Sequence, residues 1–349
     1  MDELRQRLLE GMVIPACPLA LTDDGAWSER HQRALVDYYR EAGAGGLAVG
    51  VHTTQFEIRE SRHGLYAPVL ELASHRVDSG TQQGQMAMLR IAGICGETPQ
   101  AIREAELAKG FGYDAGLLSV AALNAWSEKA IVEHCREVAE VLPVIGFYLQ
   151  PAVGGRDLSY EFWRAFSEIE NVVAIKIAAF NRYRTLDVIR AVVDSGREDI
   201  ALYTGNDDHI IGDLLTPFRF DEVANPRWFS GGLLGQWAVW TERAVAILAE
   251  IKVVRESGAV PAEWLTRNAQ LTDANSAVFD SANGFAGCIA GINEVLRRQG
   301  LLPSNRCLSA EEVLSPGQGA EIDRVISAYP WLADDAFVVQ NRDRWLENS

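Results

Sequence analysis

The chain lacks what would mark a metal centre, a disulfide framework or a membrane span. Its five cysteines, Cys17, Cys95, Cys135, Cys288 and Cys307, are scattered and never fall in CxxC spacing. That pattern argues against a structural zinc site or a disulfide scaffold and points to a reducing compartment. No HExxH or DxDxDG motif is present, so the usual metal spacings are missing. No run approaches the ~20 apolar residues that a membrane helix requires. The opening MDELRQRLLEG is charged and has no apolar signal-peptide core. Excess positive charge is missing too. A formal net charge of −16 argues against nucleic acid or anionic membrane as a partner, since both need clustered Lys and Arg. The expectation is a soluble cytoplasmic protein.

What is present is alternation. The 349 residues are 48% hydrophobic, enough to bury a large core without disulfides. Short apolar runs recur between amphipathic stretches: VIPACPLAL (13–21), GLAVG (46–50), LRIAGICG (89–96), AGLLSV (115–120), PVIGFYLQ (143–150), VVAIKIAA (172–179), IALYTGN (200–206) and RWFSGG (227–232). Near-continuous apolar runs suit parallel strands covered on both faces. Helix signals lie between them. Ser28 opens SERHQRALVDYYREAG, which stops at Gly43 or Gly45. Thr98 and Pro99, Ser127 and Ser159 open three more.

Eight strand–helix units in about 250 residues fit a (β/α)8 TIM barrel. A doubly wound open sheet is the alternative, but no GxGxxG follows the first strand. The division expected is a barrel with an N-terminal helix over residues 1–258, then a helical C-terminal extension over 259–349 packed on the barrel. Helices are expected at PAEWLTRNAQLTDANSAVFDSAN, GFAGCIAGINEVLRRQG, LSAEEVL and GAEIDRVISAY.

One residue in this scheme is out of place. In VVAIKIAAF (172–180) eight of nine residues are apolar and the ninth is Lys176. A strand lysine can snorkel to water or pair with a buried carboxylate. Pointed into the barrel, it loses solvation, its pKa falls, and the neutral amine becomes a nucleophile toward carbonyls. Tyr148 lies on the preceding strand, 28 positions away. A phenol beside an amine can relay protons during imine formation.

With these residues the chain resembles the dihydrodipicolinate synthase and N-acetylneuraminate lyase superfamily, the pyruvate-type class I aldolases. The resemblance runs from about Gly11 to about residue 300. It is carried by GMVIPACPLALTDDG, GVHTTQF, GFYLQP, VVAIKIA, YTGNDD (203–208) and SGGLLG (230–235), in that order. It implies a Schiff base at Lys176 and a proton shuttle at Tyr148. The substrate carboxylate would be held at the TTQ loop by Thr53 and Thr54, or by His52 and Thr53. Gly205 and Asn206 would line the pocket opposite the lysine. It also implies a small 2-keto acid such as pyruvate or a keto-deoxy sugar acid as partner, and a homo-oligomer, dimer or tetramer. No metal or other cofactor is needed, because the protonated imine is itself the electron sink.

The departures point away from lysine biosynthesis. Where the synthase carries a tyrosine pair, this chain has Ala122 and Leu123. Where it carries an arginine for its second substrate, this chain has Val153. Arg156 or Asn124 could serve instead. Aldolase and dehydratase chemistry share one carbanion, so both stay open. So does a catalytically degenerate keto-acid sensor of the same fold.

Overall fold

The computed structural model describes residues 2–80, 87–220 and 225–347. Eight parallel strands form the centre: β1 Val13–Pro15, β2 Gly46–Val49, β3 Leu89–Ile94, β4 Ala115–Leu118, β5 Val144–Leu149, β6 Val172–Ala178, β7 Ala201–Thr204 and β8 Phe229–Leu234. From β2 to β8 each strand pairs with the next in sequence, and β8 pairs with β1. The last gap, β1 to β2, is spanned by the parallel bridge Ala16–Ala48, with Cys17 N–H donating to Ala48 O at 2.8 Å. This is a (β/α)8 barrel.

The helices are α1 Asp2–Glu10, α2 Glu29–Glu41, α3 Tyr66–Gly80, α4 Thr98–Gly110, α5 Glu128–Ala139, α6 Tyr160–Phe166, α7 Arg182–Asp194, α8 Ile210–Leu215 and α9 Thr241–Ser257. Beyond them lie α10 Glu263–Val278, α11 Cys288–Arg298, α12 Gln318–Ala328 and α13 Asp335–Glu347. Ser127 and Ser159 cap α5 and α6, accepting from Ala130 N–H and Phe162 N–H. Ser28 stands at the start of α2 but turns its hydroxyl to His31 Nδ1 at 2.8 Å and makes no cap bond. Thr98 lies inside α4, bonded to His134 Nδ1. Just past α2, Gly43 takes a φ of +89°, a left-handed stop that suits glycine. The expected helix at LSAEEVL is not formed; residues 308–314 are irregular. Glu312 in that stretch accepts from Ile289 N–H, so the segment is held by tertiary contacts.

Two apolar layers follow from the two-residue period of the strands. One fills the barrel with Ile14, Ala16, Ala48, Leu117, Ile145, Phe147, Ala174, Ala178 and Tyr203. The other lies between strands and helices and takes the alternate positions, among them Val144, Tyr148, Ile175, Ile177 and Leu202. Helix α1 closes the N-terminal mouth, with Leu8 in the barrel cluster and its carbonyl accepting from Tyr203 Oη at 2.9 Å. Helix α13 packs on α2, and α10 on α8, so the extension wraps one flank. Among the described residues no helix is long and apolar enough to cross a membrane. All five cysteines are unpaired.

Candidate active site

A small cavity opens among the C-terminal ends of the strands, where barrels of this kind gather their chemistry. Its walls include Ala16, Val51, His52, Thr53, Phe147, Leu149, Gln150, Val153, Lys176, Ala178 and Phe180. Gly205, Asp207 and Gly235 complete the rim, and Phe279, Phe285, Cys288 and Ile292 cover it from the extension. The cavity holds about 50 Å³. One water needs about 10–15 Å³ on a comparable measure, so the site suits a small acyl group of a few heavy atoms.

Lys176 stands on β6 between the inward residues Ala174 and Ala178 and is only 7% exposed. Its ammonium lies 4.3 Å from the centre of the Phe147 ring. A desolvated cation–π contact contributes about 2 kcal/mol, against several kcal/mol for taking an ion out of water. Burial therefore wins. It pulls Lys176 below the ordinary lysine value, and the nearby Asp207 carboxylate only partly restores the charge. The converse holds for Asp207, which burial pushes up. Its Oδ1 accepts from Gln236 N–H at 3.0 Å. In water the lysine alone would hold the proton, and burial brings the two groups closer in proton affinity.

Gly205 belongs beside the lysine for a steric reason. A Cβ there would lie 2.7 Å from Lys176 Cε and 2.8 Å from Ala178 Cβ. On the opposite rim, a 3-10 turn at His52–Thr54 presents His52 and Thr53 to the cavity. Burial and the Lys176 charge hold His52 down to about 4, so it is a neutral imidazole near neutral pH.

Three expected site residues do not reach the cavity. Tyr148 is on the outer face of β5. Its ring packs 5.4 Å from Trp163, and its hydroxyl accepts from Leu158 N–H at 3.3 Å. The cause is a register irregularity: Val144 pairs with Val172, but Ile145 pairs with Ala174, which brings Phe147 rather than Tyr148 opposite Lys176. Thr54 is turned inward beneath the loop, donating to Cys17 O at 2.7 Å and accepting from Gly50 N–H at 3.0 Å. Asn206 is consumed by structure: it accepts from Phe180 N–H and donates to Asp213 and Thr185. Arg156 donates to the carbonyls of Leu123 and Trp126 and so braces the β4 loop. Asp207 was missed in the sequence although it sits one position past Asn206 in YTGNDD. The aromatic cover was missed because its residues lie about a hundred positions from the lysine.

Backbone strain gathers around this cavity. Gln55, Phe180, Asp280 and Phe285 all take left-handed φ without being glycine, at about 1–3 kcal/mol each. Phe180 and Phe285 line the cavity and meet edge to face at 5.8 Å. Asn206 holds Phe180 through its N–H. Asp280 accepts from Gly287 N–H at 3.0 Å, closing the turn that carries Phe285.

Residues 10–216 match the dihydrodipicolinate synthetase family, more than half of the chain. The protein belongs to that family. Its relatives are distant. It is 28% identical over 192 residues to a 4-hydroxy-tetrahydrodipicolinate synthase of Thiobacillus denitrificans, covering 54% of this chain and 60% of that one. It is 31% identical over 185 residues to the enzyme of that name from Alkaliphilus oremlandii, covering 51% of this chain and 57% of that one. The chain thus matches well under two thirds of the length of these curated relatives. A crystal structure of dihydrodipicolinate synthase from Acinetobacter baumannii, complexed with pyruvate, superposes with a TM-score of 0.71 at 20% identity, covering 92% of this chain and 98% of that one. That likeness is one of fold. Low identity throughout agrees with a divergent member of the family.

Proposed function

We propose that this protein is a Schiff-base-forming lyase of the class I aldolase type, acting on a small 2-keto acid such as pyruvate. The observation that carries the reading is Lys176, buried on a barrel strand on the wall of the small cavity and with its charge weakened by burial. A neutral amine there attacks the keto carbon, and loss of water leaves a protonated imine. That imine stabilises a carbanion on the adjacent carbon, which then breaks or forms a C–C bond or expels a β-hydroxyl. The substrate carboxylate lies against Thr53, with the Gln150 amide within the same wall. Short donors of this kind hold a carboxylate by charge-assisted hydrogen bonds. Membership of the family and the pyruvate bound by the Acinetobacter enzyme support the choice of substrate.

Borohydride reduction in the presence of pyruvate tests it. The expected result is a stable adduct at Lys176, located by peptide mass spectrometry. Absence of an adduct across a broad set of 2-keto acids defeats the proposal. One observation favours a second reading, a keto-acid sensor without turnover: a phenylalanine, not a phenol, faces the lysine. A trapped adduct with no product from any aldehyde or hydroxy-acid partner supports that reading. The protein is further proposed to work in the cytoplasm as a homo-oligomer, dimer or tetramer, which light scattering checks.

A further inference from the structure

We infer that the roof of the cavity, with Phe285 as its deciding residue, restricts the site to short 2-keto acids whose third carbon carries hydrogen or a hydrocarbon group. Hydroxylated and dicarboxylic keto acids are turned away. The inference rests on the Schiff-base reading and names the keto acids that the lysine can take.

The cavity wall is sorted by origin. The barrel loops supply His52, Thr53, Gln150 and Asp207 beside Lys176. The extension supplies Phe279, Phe285, Cys288 and Ile292. Three of these are hydrocarbon, and the fourth is a thiol, a weak hydrogen-bonding partner. A 2-keto acid carries its oxygens on the first and second carbons, where the polar groups of the barrel serve them. Whatever the third carbon carries is left to the roof. A hydroxyl there gives up water and gains no good partner. Charge works the same way. Among the described residues of the wall, Lys176 and His52 are the only basic side chains. Burial and the Lys176 charge hold His52 down to about 4, so it is neutral near neutral pH. The single cation answers the carboxylate that every keto acid already has. A second carboxylate would find no counter-charge and would share a cavity of about 50 Å³ with Asp207.

The roof is firmly held. Phe285 and Phe180 take left-handed φ of +69° and +49° and meet edge to face at 5.8 Å. Buried Asp280 anchors the turn beneath Phe285. Its backbone carbonyl accepts from Phe285 N–H at 3.0 Å, and its carboxylate accepts from Gly287 N–H at 3.0 Å and from Ser315 Oγ at 2.5 Å. Buried Gln318 donates to the carbonyls of Val278 and Gly287 at 3.1 and 3.0 Å. Strain of this kind survives only where its surroundings over-determine it, and it gathers at ligand clamps. Here it is spent on setting two phenyl rings at the lysine's cavity.

The test measures borohydride trapping at Lys176 with a matched pair of acids. 2-Oxobutanoate and 3-hydroxypyruvate differ by a methyl against a hydroxyl on the third carbon. Each trapping efficiency is divided by that of free butylamine with the same acid, which removes the difference in carbonyl reactivity. The parent should favour 2-oxobutanoate about 10-fold. Phe285→Asn places an amide in the roof, and asparagine enters the left-handed region more readily than other side chains. It should erase most of that preference. Phe285→Gly also suits the backbone and removes the ring. It should raise trapping of the bulkier 4-methyl-2-oxopentanoate about 10-fold relative to 2-oxobutanoate. These ratios do not move when a variant merely folds less well. A parent that favours neither acid, or favours 3-hydroxypyruvate, overturns the inference. So does an unchanged ratio in Phe285→Asn, or no gain for 4-methyl-2-oxopentanoate in Phe285→Gly. If the parent traps none of these acids, pyruvate included, the Schiff-base reading itself falls and takes this inference with it. Trapping of pyruvate without discrimination between the paired acids defeats the inference alone.

Discussion

Strands β5 and β6 are adjacent, of similar length, and almost wholly apolar. Each carries one residue with chemistry to offer. On β6 that residue is Lys176, and it faces the cavity. On β5 it is Tyr148, and it faces the helices, pressed against Trp163. Neither strand tells its two sides apart by composition, because both sides are buried. A surface strand shows its inner face by apolar–polar alternation, but a barrel strand does not. The side on which a residue falls then depends on parity, and one skipped residue of register reverses it. Here the skip lies between Val144 and Ile145. The skip shifts the alignment by one position, so the Phe147 ring rather than the Tyr148 phenol stands opposite the lysine.

Substitutions on the two strands can break this comparison. Lys176→Ala should abolish the borohydride adduct altogether, read as loss of the mass shift on its peptide. Phe147→Ala should follow, costing about 3–5 kcal/mol of stability in urea titration, the usual range for emptying a buried aromatic site. The pH dependence of trapping should be displaced next. Burial lowers Lys176, so the neutral amine forms at lower pH than for an exposed lysine. The rate should rise with pH and level off below the range where an exposed lysine would. Tyr148→Phe should have the smallest effect. Leu158 N–H loses its acceptor, a cost of about 1–3 kcal/mol, while the trapping rate changes by less than twofold. A large loss of trapping in Tyr148→Phe would reverse the comparison.

The barrel was legible because eight apolar runs of strand length recur at regular spacing, a pattern that few other architectures produce. Lys176 was legible because a charge inside such a run is costly. Gly205, His52 and Thr53 were within reach of the motifs around them, and the cavity does include them. Tyr148 was not legible, since parity in a doubly buried strand leaves no mark. Thr54 and Asn206 were hidden by a different effect. Their polar groups are spent on backbone and on Asp213, and hydroxyls or amides that hold a loop look the same in sequence as those that hold a ligand. LSAEEVL carries helix-forming residues, yet contacts to α11 and the loop at Gln55 take precedence.

Phe180 and Phe285 meet across the top of the cavity, and only the first lies within the stretch that matches the family. Phe279, Phe285, Cys288 and Ile292 all come from beyond it. The part of the molecule that carries the lysine and the part that roofs the cavity therefore have separate histories open to them. Selection can hold the lysine strand still while the roof drifts. Two chains with the same signature over the barrel can then carry different roofs over the same lysine, and kinship measured over the barrel will be blind to that difference.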